Sequence, residues 1–267
     1  MNLMEGKTGL IMGVANERSI AWGIANELFL NKANIVLTYQ NDSLKKRIEP
    51  LSDKIKCKNL YKCDVSLDPE NQNSIENVIK NINKDVGNLD FVVHALAYSD
   101  KEELKGKYVE TSRQNFLSTL DISTYSFTRV AKSTSKIMKN GGSLLTLTYV
   151  GSNKTTPNYN VMGVAKAALE TSVKYLSVDL GKNNIRVNAI SAGPMKTIAG
   201  AAISGARHVY RYSEKIAPLQ KNPDLEQVGN AALYLLSDIS SGVTGLTHYV
   251  DGGLKVVGIP NQNIVNI

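Results

Sequence analysis

Short apolar segments rich in β-branched residues alternate along this chain with longer segments whose apolar residues recur at helical spacing. Some of the short segments, such as Phe91-Val92-Val93, are apolar at every position, which is typical of strands buried on both faces of a sheet. The longer segments have the spacing of amphipathic helices. This alternation predicts an α/β fold in which a doubly wound parallel sheet carries helices on both faces.

The predicted strands cover Thr8–Met12, Asn34–Tyr39, Asn59–Asp64, Asp90–His94, Gly142–Thr148, Ile185–Ile190 and Thr247–Val250. The predicted helices cover Ser19–Asn31, Ser43–Lys54, Asn71–Asp85, Ser112–Lys139, Tyr159–Leu180 and Asp224–Leu236, of which the fourth is long enough to form two pieces. No Pro/Gly/Ser-rich linker, charge block or repeat interrupts the alternation. We therefore expect residues 1–267 to form a single domain.

The first predicted strand is followed by a glycine turn and a helix. Gly13 ends the strand, Ser19 stands where the helix begins, and Gly23 lies in its first turns. A glycine lets the backbone approach a ligand closely, and the amides of a helix N-terminus bind phosphate. Ser19 can cap the helix or bond a phosphate oxygen, and Gly23 lets the helix lie close to the strand. This order is typical of a Rossmann-type dinucleotide-binding fold, although an ordinary βα turn with a packing glycine has the same features.

A tyrosine and a lysine share one face of a later predicted helix. Tyr159 and Lys166 are separated by about 700° of helical rotation and roughly 10 Å of rise. The apolar strand before them ends at Thr148, with Tyr149 directly after it. A phenol and an ammonium group on one face suit proton-coupled chemistry on a carbonyl, because the ammonium group favours phenolate character and can hold a cofactor hydroxyl. For an isolated pair, a surface tyrosine and a surface lysine would be the better interpretation.

Several candidate residues fall at the carboxyl ends of predicted strands, where open parallel sheets bind ligands. They are Gly13, Gln40, Asp64, His94, Tyr149 and Ala192-Gly193-Pro194. Asp64 follows the third strand, where it can bond an adenine amino group or cap the next helix. The convergence of these residues on one edge is a stronger signal than any single motif.

The end of the second strand favours NADH over NADPH. Gln40 lies where the adenosine ribose is bound, and Asp42 lies near the acidic position expected for a ribose contact. No arginine stands at positions 40–42 to meet a 2′-phosphate. The basic run of residues 45–47 is equally well explained by a solvated helix face.

The histidines and cysteines do not indicate a metal site. His94 is a possible base, but it ends a very apolar strand with no Ser or Cys nucleophile nearby, so we interpret it as structural. His208 and His248 have no ligand spacing with it, and Cys57 and Cys63 have no metal-ligand spacing.

Composition narrows the class of protein. Hydrophobic residues make up 42% of the chain, yet the longest apolar runs are too short to span a membrane, and the N-terminus lacks a signal-peptide pattern. We therefore expect a cytoplasmic protein without membrane insertion. The net charge of +7 indicates either solvated basic faces or an acidic partner, while the lack of an Arg-rich tract with aromatics argues against nucleic acid.

Three motifs together resemble one family: Gly13-x5-Ser19-Ile20-Ala-x-Gly23, Tyr149-x9-Tyr159-x6-Lys166 and Arg186-Val-Asn-Ala-Ile-Ser-Ala-Gly-Pro194. The chain resembles, over essentially its whole length, the bacterial NADH-dependent enoyl-[acyl-carrier-protein] reductases, a divergent branch of the short-chain dehydrogenase/reductase superfamily. The Tyr-x6-Lys spacing is the specific part, because ordinary short-chain reductases carry Tyr-x3-Lys, whereas Gly163 stands at that position here.

The resemblance implies an enzyme that reduces the trans-2 double bond of enoyl-[acyl-carrier-protein] thioesters with NADH, in the last step of each fatty-acid elongation cycle. Hydride would reach the β carbon, and an enolate would form at the thioester oxygen. Tyr159 would hydrogen-bond that oxygen, Lys166 would hold the nicotinamide ribose, and Tyr149 would lie beside the substrate.

The resemblance also implies binding residues and partners. The implied cofactor residues are Gly13, Ala15, Ser19, Ile20, Gln40, Asp64, Val65, Leu96, Lys166, Ala192, Gly193, Pro194 and Thr197. The implied substrate residues are Ala97, Tyr98, Tyr149, Tyr159, Met162 and Ile203. A mobile loop over Ile198–Tyr212, within a covering segment of loop and helices at about residues 197–215, would close over the acyl chain. The implied assembly is a homotetramer, and we expect the acidic acyl carrier protein to dock on Arg207, Arg211 and Lys215.

Two alternatives stay open. A ketoacyl- or sugar-type short-chain reductase would carry Tyr-x3-Lys and a serine before the tyrosine, whereas Gly163 and Thr146 stand near those positions. A non-catalytic NAD-binding protein of the same fold would be indicated by loss of the tyrosine or the lysine, and both are present.

Overall fold

The computed structural model describes residues 2–201 and 203–260. Its strands are β1 (Thr8–Met12), β2 (Asn34–Tyr39), β3 (Asn59–Lys62), β4 (Phe91–His94), β5 (Gly142–Thr148), β6 (Ile185–Ala192) and β7 (Thr247–Val250). They form a seven-stranded sheet in the order β3-β2-β1-β4-β5-β6-β7, and every neighbouring pair is parallel. The chain order reverses between β1 and β4, which creates the crevice where such sheets bind ligands.

The helices are α1 (Ile20–Leu30), α2 (Asp42–Lys54), α3 (Ile75–Asp85), α4 (Arg113–Leu120), α5 (Ser126–Thr134), α6 (Asn160–Gly181), α7 (Ile198–Ala201), α8 (Ala206–Ile216) and α9 (Leu225–Leu236). A π-helical turn, Asp121–Tyr125, joins α4 to α5, so the helix predicted over Ser112–Lys139 is divided into pieces. Ser74 and Ser112 cap α3 and α4 with their hydroxyls, and Asp224 begins a capping box on α9.

Alternate residues along the strands feed two apolar cores, one on each face of the sheet. Ile11, Phe91 and Val93 pack with α1, α2 and α9. Leu10 and Val92 pack with α3, α5 and α6 on the opposite face. Both faces of the sheet are therefore covered, which confirms the predicted doubly wound α/β fold. Within the described part of the chain, no helix has the length and apolarity needed to cross a bilayer.

The predicted elements near β3 extend too far. β3 ends at Lys62 and not at Asp64, because the Asp64 carboxylate accepts hydrogen bonds from the amide and hydroxyl of Ser66 and turns the chain. The following helix begins at Ile75, whereas the sequence pattern places its start at Asn71. Asp64 therefore shapes the loop after β3 and does not cap α3.

The covering segment, expected as loop and helices over about residues 197–215, contains α7 and most of α8, and Gly205 begins α8 at φ +77°. Two further predictions are corrected by the structure. Gly23 makes room for another helix and not for a strand, since a Cβ on Gly23 would lie 2.8 Å from the Cβ of Leu225 at the start of α9. β6 also runs further than predicted, to Ala192.

Candidate active site

Tyr159 and Lys166 lie at the start of α6, at the carboxyl edge of the sheet. Tyr159 is the N-cap residue of α6, and the two residues are only 7% and 6% exposed. The Lys166 ammonium group donates to the carbonyl of Leu147 in β5 at 2.8 Å. Burial lowers the pKa of Lys166 to about 8, which the Glu170 carboxylate opposes. Burial raises the pKa of Tyr159 far above its usual range. At neutral pH the site therefore pairs a neutral phenol with a protonated amine.

The ring of Tyr149 packs edge-on against the ring of Tyr159. The ring centroids are 5.2 Å apart and the ring planes meet at 68°. Burial raises the pKa of Tyr149, so this phenol is also neutral. Gly151 permits the contact, because a Cβ on Gly151 would lie 2.6 Å from the Tyr159 ring. The structure thus brings the three residues predicted to be catalytic, Tyr149, Tyr159 and Lys166, to one place.

An apolar cluster adjoins the two tyrosines. Its buried members are Leu104, Tyr159, Val161, Met162 and Ala165, and Phe116, Leu120, Tyr149 and Ile203 pack against them. Met162 and Ile203, both predicted substrate residues, therefore lie beside the tyrosine pair. Ala97 and Tyr98 lie apart from this cluster, on the exposed loop after β4. There the hydroxyl of Ser123 accepts from the amide of Tyr98 at 2.9 Å and donates to its carbonyl at 3.0 Å.

The turn after β1 is held by one hydroxyl. Gly13 has φ +103°, and any Cβ there would collide with the Ala95 carbonyl. The Ser19 hydroxyl accepts from the amides of Ala15 and Asn16 at 3.0 and 2.9 Å, and it donates to the carbonyl of Asn16 at 2.8 Å. Ser19 therefore braces the turn and does not cap α1 with its side chain. The turn brings the N-terminus of α1 to the carboxyl end of β1, where amides bind phosphate.

Polar side chains link the ends of β2 and β3. The Gln40 amide donates to Asp64 at 3.0 Å. Burial alone would raise the pKa of the Asp64 carboxyl, but hydrogen bonds from Ser66 and Gln40 lower it. The ammonium group of Lys62 lies 3.6 Å from the Asp42 carboxylate. A cation that the sequence did not indicate is therefore present beside the predicted ribose-binding acid.

Arg129 on α5 holds the loop that follows β3. Its guanidinium group donates to the carbonyls of Val65 and Leu67 at 2.8 Å each. It also pairs with Glu76 at 2.8 Å, which lowers the pKa of that carboxyl. The backbone of Val65, a predicted cofactor residue, is thus fixed by a contact that no sequence motif indicates.

The remaining predicted cofactor residues lie along the same edge of the sheet. They are Ile20 at the start of α1, Leu96 after β4, and Ala192, Gly193, Pro194 and Thr197 at and after the end of β6. The Gly193 amide donates to the Val250 carbonyl at 2.8 Å, which ties the segment after β6 to β7. The Thr197 hydroxyl accepts from the Gly200 amide at 2.9 Å and so caps α7.

His94 is a buried structural residue. Its Nδ1 lies 3.1 Å from the Thr146 hydroxyl, and its Nε2 lies 2.8 Å from the Ser126 hydroxyl. Burial, together with the charge of Lys166, lowers the pKa of His94 to about 3, so the imidazole is neutral. Across residues 2–201 and 203–260, no group of three or more His, Cys, Asp or Glu side chains is arranged to hold a metal ion.

The sequence did not identify two parts of the site. Leu104 and Phe116 enter the apolar cluster from segments distant in the chain, and their spacing resembles that of ordinary core residues. Glu170 collects hydrogen bonds from Thr148 and Ser152 beside the tyrosine pair. No local pattern reveals these contacts, because each joins residues that only the fold brings together.

The strand order, the glycine turn after β1 and the buried Tyr–Lys pair at the start of α6 define a dinucleotide-dependent oxidoreductase of the short-chain dehydrogenase/reductase type. A family model described as enoyl-(acyl carrier protein) reductase matches residues 13–255. The chain belongs to this family.

Known proteins are similar over nearly the full chain. Enoyl-[acyl-carrier-protein] reductase [NADH] 1 of Rhizobium meliloti (strain 1021) is 55% identical, over 96% of this chain and 93% of its own length. An NADPH-named enoyl-[acyl-carrier-protein] reductase of Staphylococcus aureus (strain MRSA252) is 47% identical, over 95% of this chain and 98% of its own. A crystal structure of the reductase from Anaplasma phagocytophilum in complex with NAD superposes with a TM-score of 0.91 at 51% identity, covering 97% of this chain and 95% of that one.

Proposed function

We propose that this chain reduces the trans-2 double bond of enoyl thioesters carried by acyl carrier protein, with NADH as the reductant, in the last step of each fatty-acid elongation cycle. The observation that carries this proposal is the buried pair of Tyr159 and Lys166 beside an apolar cluster, at the edge of the sheet where dinucleotides bind. The Tyr-x6-Lys spacing distinguishes the site from that of ketoacyl-type reductases.

The residues present fit NADH. Gly13 lacks a Cβ where one would collide with the Ala95 carbonyl, so the turn before α1 packs closely against the segment after β4. The amides there suit a pyrophosphate, and Ala15, Ser19 and Ile20 form this end of the site. Gln40, Asp64 and Val65 are assigned to the adenosine, and Leu96, Ala192, Gly193, Pro194 and Thr197 to the nicotinamide half. When bound, NADH supplies the hydride that the β carbon receives.

Tyr159 is assigned the role of hydrogen-bond donor to the thioester oxygen. As the β carbon gains hydride, the C=C electron pair shifts and negative charge develops on that oxygen as an enolate. A positioned donor lowers the barrier there by about 3 kcal/mol. Tyr159 suits this role because its raised pKa keeps the phenol protonated at neutral pH. The enolate then collapses, and the α carbon takes a proton from solvent or from a neighbouring donor.

Lys166 is assigned to the nicotinamide ribose and to electrostatic support of the enolate. Its pKa of about 8 leaves most of the amine charged at neutral pH. One of its three N–H groups is used by the Leu147 carbonyl, so the other two can meet a ribose hydroxyl and the site interior.

The acyl chain of the substrate is assigned to the apolar cluster beside the two tyrosines. Met162 and Ile203 adjoin Tyr149 and Tyr159 and suit an acyl chain. Ala97 and Tyr98, on the exposed loop after β4, are assigned to the solvent-facing part of the substrate site, outside this cluster. α7 and α8, which lie largely within residues 197–215, are proposed to cover the acyl chain.

The proposal extends to the assembly and its location. We extend it to a cytoplasmic homotetramer. Tyr125 on the π-helical turn and Tyr175 and Val178 on α6 are exposed apolar side chains that a contact between subunits would cover. Docking of the acidic carrier is proposed on Arg207, Arg211 and Lys215 of α8, which are all exposed.

One assay tests the reaction. Purified protein is mixed with NADH and either crotonyl thioester or acetoacetyl thioester, and NADH oxidation is followed by absorbance. The proposal requires rapid oxidation with crotonyl thioester and little with acetoacetyl thioester. The reverse preference would identify a ketoacyl-type reductase, and binding of NADH without turnover of either substrate would identify a non-catalytic protein.

A further inference from the structure

One carboxylate joins the segment around Tyr149 to the helix that carries Tyr159 and Lys166. The Glu170 carboxylate accepts a hydrogen bond from the Thr148 hydroxyl at 2.7 Å and another from the Ser152 hydroxyl. The Asn153 amide donates to the other carboxylate oxygen at 3.2 Å. These three donors bracket Tyr149 in the chain, so a single acceptor holds the backbone on both sides of that ring.

Glu170 lies on the catalytic face of α6. It follows Tyr159 by about 1100° of helical rotation and Lys166 by about 400°, so all three side chains point within roughly 40° of one direction. Glu170 is thus one turn beyond Lys166, on the side away from Tyr159. Its side chain is half-buried and accepts hydrogen bonds from three donors of the Tyr149 segment.

We propose that Glu170 is a positioning residue, which fixes the Tyr149 segment against α6 and so sets the packing of Tyr149 on Tyr159 while placing a negative charge one turn from Lys166. This inference rests on the proposed roles of Tyr159 and Lys166. Glu170 itself need not touch the substrate or the cofactor.

The negative charge of Glu170 favours the protonated form of Lys166. Glu170 is the charged group that acts on Lys166, and the Lys166 charge in turn acts on His94 on β4. Around them, Glu170 and Tyr149 act on Tyr159, and Asp251 after β7 acts on Tyr149. Both tyrosines and His94 are neutral near pH 7, so Glu170 supplies the negative charge that favours the protonated Lys166 amine. Its removal makes the protonated amine less favourable, so the pKa of Lys166 falls further.

The test compares Glu170→Gln with Glu170→Asp and with a matched control. Gln removes the negative charge and replaces one of the two acceptor oxygens with an NH2 group. Asp keeps the charge but on a shorter side chain. Asp179→Asn removes an exposed carboxylate from the opposite side of the same helix. Tyr149, Tyr159 and Lys166 remain unchanged in all three variants.

We expect Glu170→Gln to lower kcat by about tenfold, because displaced reacting groups cost rates on this scale. We also expect the alkaline limb of its pH profile to move down by about one pH unit, the effect of one nearby charge. Glu170→Asp should lower kcat but keep the wild-type alkaline limb, and Asp179→Asn should match the wild type in both. Wild-type kcat and an unmoved alkaline limb in Glu170→Gln would overturn the proposal.

NADH binding and a second variant test the proposal independently of the kinetics of Glu170→Gln. NADH affinity is measured by calorimetry between pH 7 and 9. As pH rises, Glu170→Gln should begin to lose NADH affinity at a lower pH than the wild type does, and this measurement does not depend on turnover. A wild type that binds NADH but reduces no enoyl thioester would therefore refute the proposed function without affecting this binding test.

If Glu170→Gln does not fold, the double variant Thr148→Val and Ser152→Ala removes two donors and keeps the charge. It should lose kcat without a shifted alkaline limb, and unchanged kcat would again overturn the proposal.

Discussion

The rings of Tyr149 and Tyr159 meet edge to face at 5.2 Å, although one follows β5 and the other begins α6. Such aromatic pairs contribute about 0.5–1.5 kcal/mol beyond the area they bury. The contact couples the segment after β5 to the helix that carries the proposed hydrogen-bond donor. Two elements that the chain connects only through an irregular loop therefore have one fixed relative position at the site.

Gly151→Ala tests this relationship. Its Cβ would lie 2.6 Å from the Tyr159 ring, so the ring has to move. We expect kcat to fall by about tenfold, because a small displacement of a reacting group carries a cost of this order. Circular dichroism and thermal unfolding check that the fold persists. Full activity in a folded Gly151→Ala protein would show that the tyrosine contact is dispensable.

Tyr159→Phe removes the proposed enolate donor and keeps the ring. We expect kcat to fall by about 100-fold, since removal of one donor to a developing oxyanion costs roughly 3 kcal/mol. NADH affinity should stay nearly unchanged, as measured by calorimetry. Tyr149→Phe is the matched control, because it removes a neighbouring phenol from the same cluster. If Tyr149→Phe loses more activity than Tyr159→Phe, the donor role belongs to Tyr149.

Lys166→Ala should weaken NADH binding and lower kcat/KM. The proposed ribose contact is lost together with a buried positive charge, and the loss of one charge-assisted hydrogen bond is worth about tenfold or more in affinity. Calorimetric titration with NADH measures this directly. Lys174→Ala is a suitable control, since it removes an exposed lysine from the same helix. Equal NADH affinity in Lys166→Ala and the control would remove Lys166 from the cofactor site.

NADH should be used in preference to NADPH. The Gln40 amide is bonded to Asp64, and the Lys62 ammonium group is paired with Asp42, so neither is free for a 2′-phosphate. Gln40→Arg should raise kcat/KM for NADPH by about tenfold through one new charge-assisted contact. Steady-state kinetics with both cofactors measure the preference. Wild-type protein that uses NADPH equally well would mean that Lys62 leaves Asp42 to meet the phosphate.

The sequence predicted the sheet well because its central strands are buried on both faces. A segment such as Phe91-Val92-Val93 has few alternatives to a central strand once glycine turns and helices flank it. The Tyr159–Lys166 pair was predictable for a related reason, since helical geometry alone places both side chains on one face. These features depend on local periodicity, which the sequence displays directly.

Contacts between distant segments were not predictable in the same way. Arg129 reaches the loop after β3 and Lys62 reaches Asp42, and neither contact follows from a local pattern. For both cations the partner is supplied by another element of the fold. The bounds of α7 and α8 within residues 197–215 were also not predictable, because small residues and Gly205 there resemble a loop, whereas Gly205 begins α8.

α8 presents a row of exposed positive charges to solvent. Arg207, Arg211 and Lys215 follow one another at i, i+4 spacing and are all exposed. Like charges at this spacing cost a helix about 0.2–0.5 kcal/mol per pair, so the row does not stabilise α8. An acidic carrier protein would complement it. Reversing Arg207 and Arg211 to Glu should raise KM for enoyl-carrier substrate by about tenfold, with far less change for crotonyl-coenzyme A.

Salt and a matched variant separate docking from folding. Rising ionic strength should weaken the reaction of the carrier-bound substrate more than that of the free thioester, because interactions between exposed charges are screened. Lys80→Glu with Lys84→Glu makes the same charge change at i, i+4 spacing on α3, where both lysines are also exposed. This control should leave the ratio of the two KM values at its wild-type level. An equal rise in KM for both substrates in the α8 variant would show that these arginines maintain the covering helices and do not bind the carrier.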